Sequence, residues 1–230
     1  MKLGTKVAAK PKPARGRPRD PALATRRREE ILDAASQVFA RQGYACTDIQ
    51  VIADAIGVGK ATVYRYFPSK ETLFLATVDC CLRALHESVD AASHSVADPL
   101  DRVVRAIVAY LQFFDAHPEF AELLLQEHAA FKDQRKPIYF ERREANINRW
   151  RELFAGLIAD GRIRNMPVEQ ITNVLGDLVY GTMLTNLLAG RRGVFERQAR
   201  EIVDTLFHGI LSEGERARNP CTLGHLENFP

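Results

Sequence analysis

The chain has 230 residues, 46% of them hydrophobic, with four cysteines, one tryptophan and a formal charge of +3. That length suggests one or two domains around a sizeable core, and the apolar content excludes a disordered chain. The cysteines, at positions 46, 80, 81 and 221, form no CxxC pair and no framework spacing, which fits a reducing compartment better than a secreted disulfide scaffold. The longest uncharged apolar stretch, residues 178–190, falls short of the roughly 20 residues a membrane helix needs. No apolar run follows the basic N-terminus, which argues against a signal peptide. A soluble cytoplasmic protein with no membrane partner is expected.

Residues 1–19 are rich in Lys, Arg, Pro and Gly without apolar periodicity, the pattern of a flexible basic arm. The first 28 residues hold ten Lys or Arg against one acid, Asp20. A basic arm on an acidic body points to a polyanion partner, with a solubilising tail as the plainer alternative. Within the arm, Arg15-Gly16-Arg17-Pro18 matches the core of an AT-hook, in which Arg15 and Arg17 enter a narrow A/T minor groove. An unspecific basic tail is again the alternative.

Asp20-Pro21 reads as an N-cap followed by proline at the first helical position. Ile31, Leu32, Ala35, Val38 and Phe39 recur at helical spacing until Gly43. Thr47 with Gln50 forms a capping-box signal for a second, short helix with Ile49, Ile52, Ala53 and Ile56 on its apolar face. A third short helix runs from about Lys60 to Tyr66, and Ser69 caps a longer one. Pro99, Pro118, Pro137 and Pro167 open further helices, and a last one runs from about Val194 to Ser212. The expected fold is all-α, with about nine helices. It comprises a helix-turn-helix domain over residues 20–75, a helical ligand-binding and dimerisation domain over 76–212, and a tail over 213–230.

Two short helices joined at Gly57-Val58-Gly59 have the spacing of a helix-turn-helix. Ala53 is small where the next helix crosses, and Val58 and Val63 fill the space between them. If the third helix enters a major groove, Lys60, Ala61, Thr62, Tyr64 and Arg65 face DNA. Lys60 or Arg65 would pair with guanine, the Ala61 or Thr62 methyl would meet thymine, and the Thr62 and Tyr64 hydroxyls would reach phosphates. Lys70 stands at the start of the following helix, where the exposed amides also favour phosphate. A structural helical hairpin without a ligand is the competing interpretation.

These residues carry a resemblance. Ile31-Leu32-Asp33-Ala34-Ala35, Phe39, Gly43-Tyr44, Thr47, Ile52-Ala53, Gly57-Val58, Thr62-Val63-Tyr64 and Tyr66-Phe67-Pro68-Ser69-Lys70-Glu71-Thr72-Leu73 follow a dense, ordered pattern. Residues of about 25–75 thereby resemble the DNA-binding domain of TetR-type transcriptional regulators. The resemblance implies backbone contacts from Thr47, Thr62, Tyr64, Tyr66 and Lys70, and base reading from Gly59 to Thr62 plus Arg65. Gly59 and Ala61 depart from the residues usual there. Asp48 stands where a second threonine is frequent, and its carboxylate would repel phosphate.

One helix-turn-helix reads few base pairs, so a dimer on a palindromic operator is expected. Leu175, Leu178 and Leu187, with Val174 and Leu188 on the same helix, and Val203, Leu206 and Ile210 on the last, are the candidate dimer residues. Gly176 and Gly181 would admit a partner helix, and monomer core is the alternative. If the resemblance extends through the body, an effector pocket lies there. Its candidate residues are Gln112, Phe113, Asn146, Trp150, Asp177, Tyr180 and Asn186, for a small apolar or amphipathic molecule. No GxSxG, P-loop, HExxH or zinc spacing occurs, so no enzyme and no cofactor is expected. The expected function is a repressor, released when a small molecule tilts the helix that starts after Ser69. Alternatives are an architectural or activating DNA-binding protein without an effector, or a redox role for Cys80-Cys81.

Overall fold

Prolines open the helices and glycines close them, and the computed structural model, which describes residues 21–218, follows that punctuation closely. Ten helices occur among the described residues: α1 Pro21–Gln42, α2 Ile49–Ala55, α3 Lys60–Tyr66, α4 Lys70–His94, α5 Pro99–Ala116, α6 Pro118–Phe131, α7 Ile138–Ala159, α8 Val168–Leu188, α9 Phe195–Ile210 and α10 Glu213–Arg218. Gly43, Gly161 and Gly190 take positive φ just beyond α1, α7 and α8, where a side chain would strain the backbone. Among the described residues, pairing outside helices is limited to one isolated bridge, Ile163 with Leu211. Arg15 and Arg17 lie outside the described residues.

The apolar faces assemble two core clusters. The first unites α1 to α4 with α6 through Ile31, Phe39, Ile52, Val63, Phe74 and Phe131. The second unites α5, α7, α8 and α9 through Leu100, Val103, Phe154, Ile171, Val203 and Phe207. Tyr110 and Trp150 pack against both. Residue 75 falls inside α4, which passes uninterrupted from the helix-turn-helix into the body. At 25 residues α4 is about 37 Å long.

Three expectations are corrected here. Residues 213–218 are helical rather than tail, because Arg162 Nη2 meets the buried Glu215 carboxylate at 2.9 Å while its Nη1 meets Asp98 at 2.7 Å. Val203 (0% exposed) and Leu206 are core of the protomer: among the described side chains of α9, the buried apolar ones belong to the second cluster. The side chain of Ile210 is outside the described set. Gly176 accommodates the Arg143 guanidinium, not a partner helix; a Cβ there would stand 2.5 Å from Nη2. What α8 leaves outward is Val174, Leu178 and Leu188, the last 72% exposed. Leu175 and Leu187 are half-buried against the clusters.

Candidate nucleic-acid interface and effector cavity

Helices α2 and α3 have seven residues each, too few to persist alone. They are held by burial. Ala53 and Ile52 are fully enclosed, Val63 is 1% exposed, and the turn closes with Val58 N–H donating to Ala53 O at 3.0 Å. Gly57 supplies the positive φ that this turn requires. The two helices therefore form a rigid corner with one face of α3 outward.

On that face Ala61, Tyr64 and Arg65 are exposed and Thr62 is half-buried. Arg65 stacks over the Tyr66 ring, 5.3 Å from its centroid, so the two are fixed as a pair. Lys60 is not free: its Nζ lies 2.6 Å from Asp48 Oδ1. Asp48 is also the N-cap of α2, accepting from Gln50 N–H at 2.8 Å. That backbone bond, then Lys60, holds its carboxyl below the ordinary range. The carboxylate expected to repel phosphate is thus offset by a cation.

Thr47 is not the cap. It is buried, and its hydroxyl donates to Gly43 O at 2.7 Å, while the Gln50 side chain reaches forward to Asp54. A phosphate contact from the Thr47 side chain is therefore corrected to a structural role. Lys70 Nζ donates to Ala45 O at 3.0 Å and Thr47 O at 3.2 Å and sits over the Tyr44 ring, which leaves one of its three protons for a phosphate. Ser69 caps α4 through Thr72 N–H. Unanticipated from sequence is Arg28, whose guanidinium stacks 5.1 Å from the Phe67 centroid. Arg26 and Arg27, by contrast, pair with Glu30.

The sequence pattern of the bacterial regulatory proteins of the tetR family matches residues 31–77, the span from mid-α1 into α4. The chain thus carries the DNA-binding domain pattern of the TetR family over these residues. It is 27% identical over 117 residues to the HTH-type transcriptional regulator HbdR of Aromatoleum, 51% of each chain. The alignments with the first curated relatives thus span about half their length. Identity to the regulator EthR of Mycolicibacterium smegmatis is also 27%, over 188 residues covering 79% of this chain and 83% of that one. The fold matches a transcriptional regulator from Saccharomonospora viridis crystallised with choline, at a TM-score of 0.70 and 22% identity, covering 82% of this chain and all of the other. These named relatives are transcriptional regulators, and none of the described helices is long and apolar enough to cross a membrane.

The body of the chain holds a cavity of about 140 Å³ at the seam between the two core clusters. Its wall comes from α4 (Leu85, His86, Val89), α5 (Val103, Ile107, Tyr110), α7 (Tyr139, Arg143, Asn146, Trp150) and α8 (Thr172, Leu175, Val179). Of the seven sequence-derived candidates, Asn146 and Trp150 line it. Gln112 is exposed, and Phe113 packs in a ring group with Phe114, His117 and Phe120. Asp177 is 74% exposed and pairs with Arg143. Tyr180 stacks on Tyr139, and Asn186 exchanges two 2.7 Å hydrogen bonds with Gln198. None of these five lines the cavity. Tyr110, Tyr139 and Arg143 were not singled out from sequence; Tyr139 and Arg143 share a Tyr-x3-Arg spacing on one face of α7, whereas Tyr110 lies apart on α5.

Tyr110 and Tyr139 join hydroxyl to hydroxyl at 3.0 Å. Burial raises both, Tyr139 to about 12, so both keep their protons at neutral pH. Burial, then the charge of Arg149, pushes His86 below its ordinary value and leaves it neutral there. Cys81 is buried, and burial drives its thiol up, which gives no support to a thiol switch.

Between cavity and DNA-facing corner runs a packed connection. Gln126 on α6 accepts from Tyr44 N–H at 3.0 Å and donates to Phe39 O at 3.0 Å. Phe39, Tyr44, Phe74 and Phe131 form one ring cluster with centroid separations of 4.8 to 6.2 Å.

Proposed function

We propose that this regulator binds a palindromic operator as a homodimer, represses transcription from it, and is released by a small apolar or amphipathic molecule held in the α4–α5–α7–α8 cavity. The observation that carries the reading is α4 itself. Leu73 and Phe74 belong to the packing of the DNA-facing corner, while Leu85 and His86 wall the cavity, about 20 Å further along one continuous helix. A molecule that spreads the cavity displaces α4 and with it the corner carrying Ala61, Thr62, Tyr64 and Arg65. To release DNA it must favour the displaced state by the coupling free energy, typically 1–3 kcal/mol. The outward residues Val174, Leu178 and Leu188 of α8 suit a partner's α8. The Saccharomonospora viridis neighbour, which holds choline, supports a small-molecule site in this fold.

Selection of bound duplexes from a randomised pool tests this. A recovered palindrome whose binding weakens at least tenfold with Tyr64→Ala supports the reading. Duplexes without a common sequence would favour the effector-independent architectural alternative.

A further inference from the structure

The wall of the cavity has a polarity of its own. Among its described residues there is no carboxylate, whereas Arg143, Arg149 and neutral His86 are present. The Tyr110 and Tyr139 hydroxyls carry two protons between them, and their mutual bond uses one. The second has no acceptor in the pair and sits in a buried, low-dielectric site where an unmet donor is unfavourable. Arg143 lies one turn beyond Tyr139 on the same face of α7 and close enough to influence both tyrosines. Its existing partners are weak ones: the exposed Asp177, and the Thr172 and Asn173 carbonyls at 3.3 and 3.4 Å. Gly176 clears the space through which the guanidinium reaches this position. Arg149, already paired with Asp90, keeps a buried Nε without a hydrogen-bond partner.

Resting on the effector-cavity reading above, we propose that the effector is an apolar carboxylate, its carboxylate taken by the Tyr110–Tyr139 hydroxyl pair and Arg143 and its tail lying against Trp150, Ile107 and Phe154. A carboxylate accepts the spare hydroxyl proton and a charge-assisted bond from Arg143 at once. A space of about 140 Å³ takes one ring-sized group.

Trp150 is the chain's single tryptophan and lines the cavity, so its fluorescence reports occupancy directly. The full chain is titrated with 3-phenylpropanoate, 3-phenylpropan-1-ol and the corresponding phenylpropyl trimethylammonium ion. The carboxylate is expected to bind at least about tenfold tighter than the alcohol, and the ammonium ion weakest. The double variant Tyr110→Phe/Tyr139→Phe removes both hydroxyls together, leaving no orphan, and Arg143→Met removes the cation. Each is expected to weaken the carboxylate about tenfold while leaving the alcohol within twofold. Alcohol binding as tight as the carboxylate, or variants that weaken both alike, overturns the proposal and leaves the cavity reading standing. Silence from all three compounds overturns both.

Discussion

The two ends of α4 are built on opposite packing principles. Around Phe74 the helix is enclosed by interlocked rings and by Gln126, which bridges α1 and the loop after it from the other side. Around His86 it faces open space at the seam of two cores. A close-packed region transmits displacement because it has few alternative arrangements, whereas a void absorbs a guest. One helix thus joins a stiff corner to a yielding seam, and the contrast can be broken residue by residue.

The largest effect is expected at the stiff end. Phe74→Ala should lower stability by about 3–5 kcal/mol, measured by denaturant unfolding, whereas Ile107→Ala beside the cavity should fall near 2 kcal/mol, at the low end of the range for core truncations. Equal losses would erase the contrast. Next, Tyr64→Ala should weaken operator binding tenfold or more, about 1.4–3 kcal/mol, with unfolding unchanged within about 0.5 kcal/mol. A comparable loss of stability would make Tyr64 a packing residue. Smaller, and of opposite sign, Asp48→Asn keeps the cap of α2 but frees Lys60. Operator binding should tighten and its log–log salt slope steepen by about 0.9; an unchanged slope means that Lys60 reaches no phosphate.

The smallest expected effect is at the far end of the body. Burial opposes ionisation of Asp98, but Arg162 and the Asp101 and Leu100 N–H groups outweigh it and hold its carboxyl low. A depressed carboxyl stabilises the fold above its unfolded value, near 3.9, and that stability is lost as pH falls through the lower folded value. Asp98→Asn should therefore cost under about 1 kcal/mol at pH 7, since the group is largely solvent-screened. The difference from the parent chain should shrink in acid unfolding as pH falls below the unfolded value, and vanish once it passes the lower folded one.

The contrast also explains what the sequence disclosed. The corner was legible because local rules decide it: Pro and Gly end helices, Ala53 and Val63 must be small enough to cross, and the exposed face of α3 follows from helical periodicity. The cap of α2 was misassigned because Thr47 and Asp48 are both good caps, and a tertiary bond from Thr47 to Gly43 decides between them. Val203 and Leu206 read equally well as interface or core, since an amphipathic stripe does not name its partner. The cavity was the least legible, because four helices distant in sequence supply its wall. The polar residues Asp177 and Asn186, set within an apolar helix, turned toward α7 and α9 neighbours instead.

Gly176 has a meaning on a longer timescale. Replacing it with alanine is a single-nucleotide change, and the added methyl would collide with the Arg143 guanidinium. On the proposed carboxylate reading, one point mutation is therefore enough to move the cation that would hold the ligand, with the α2–α3 corner untouched.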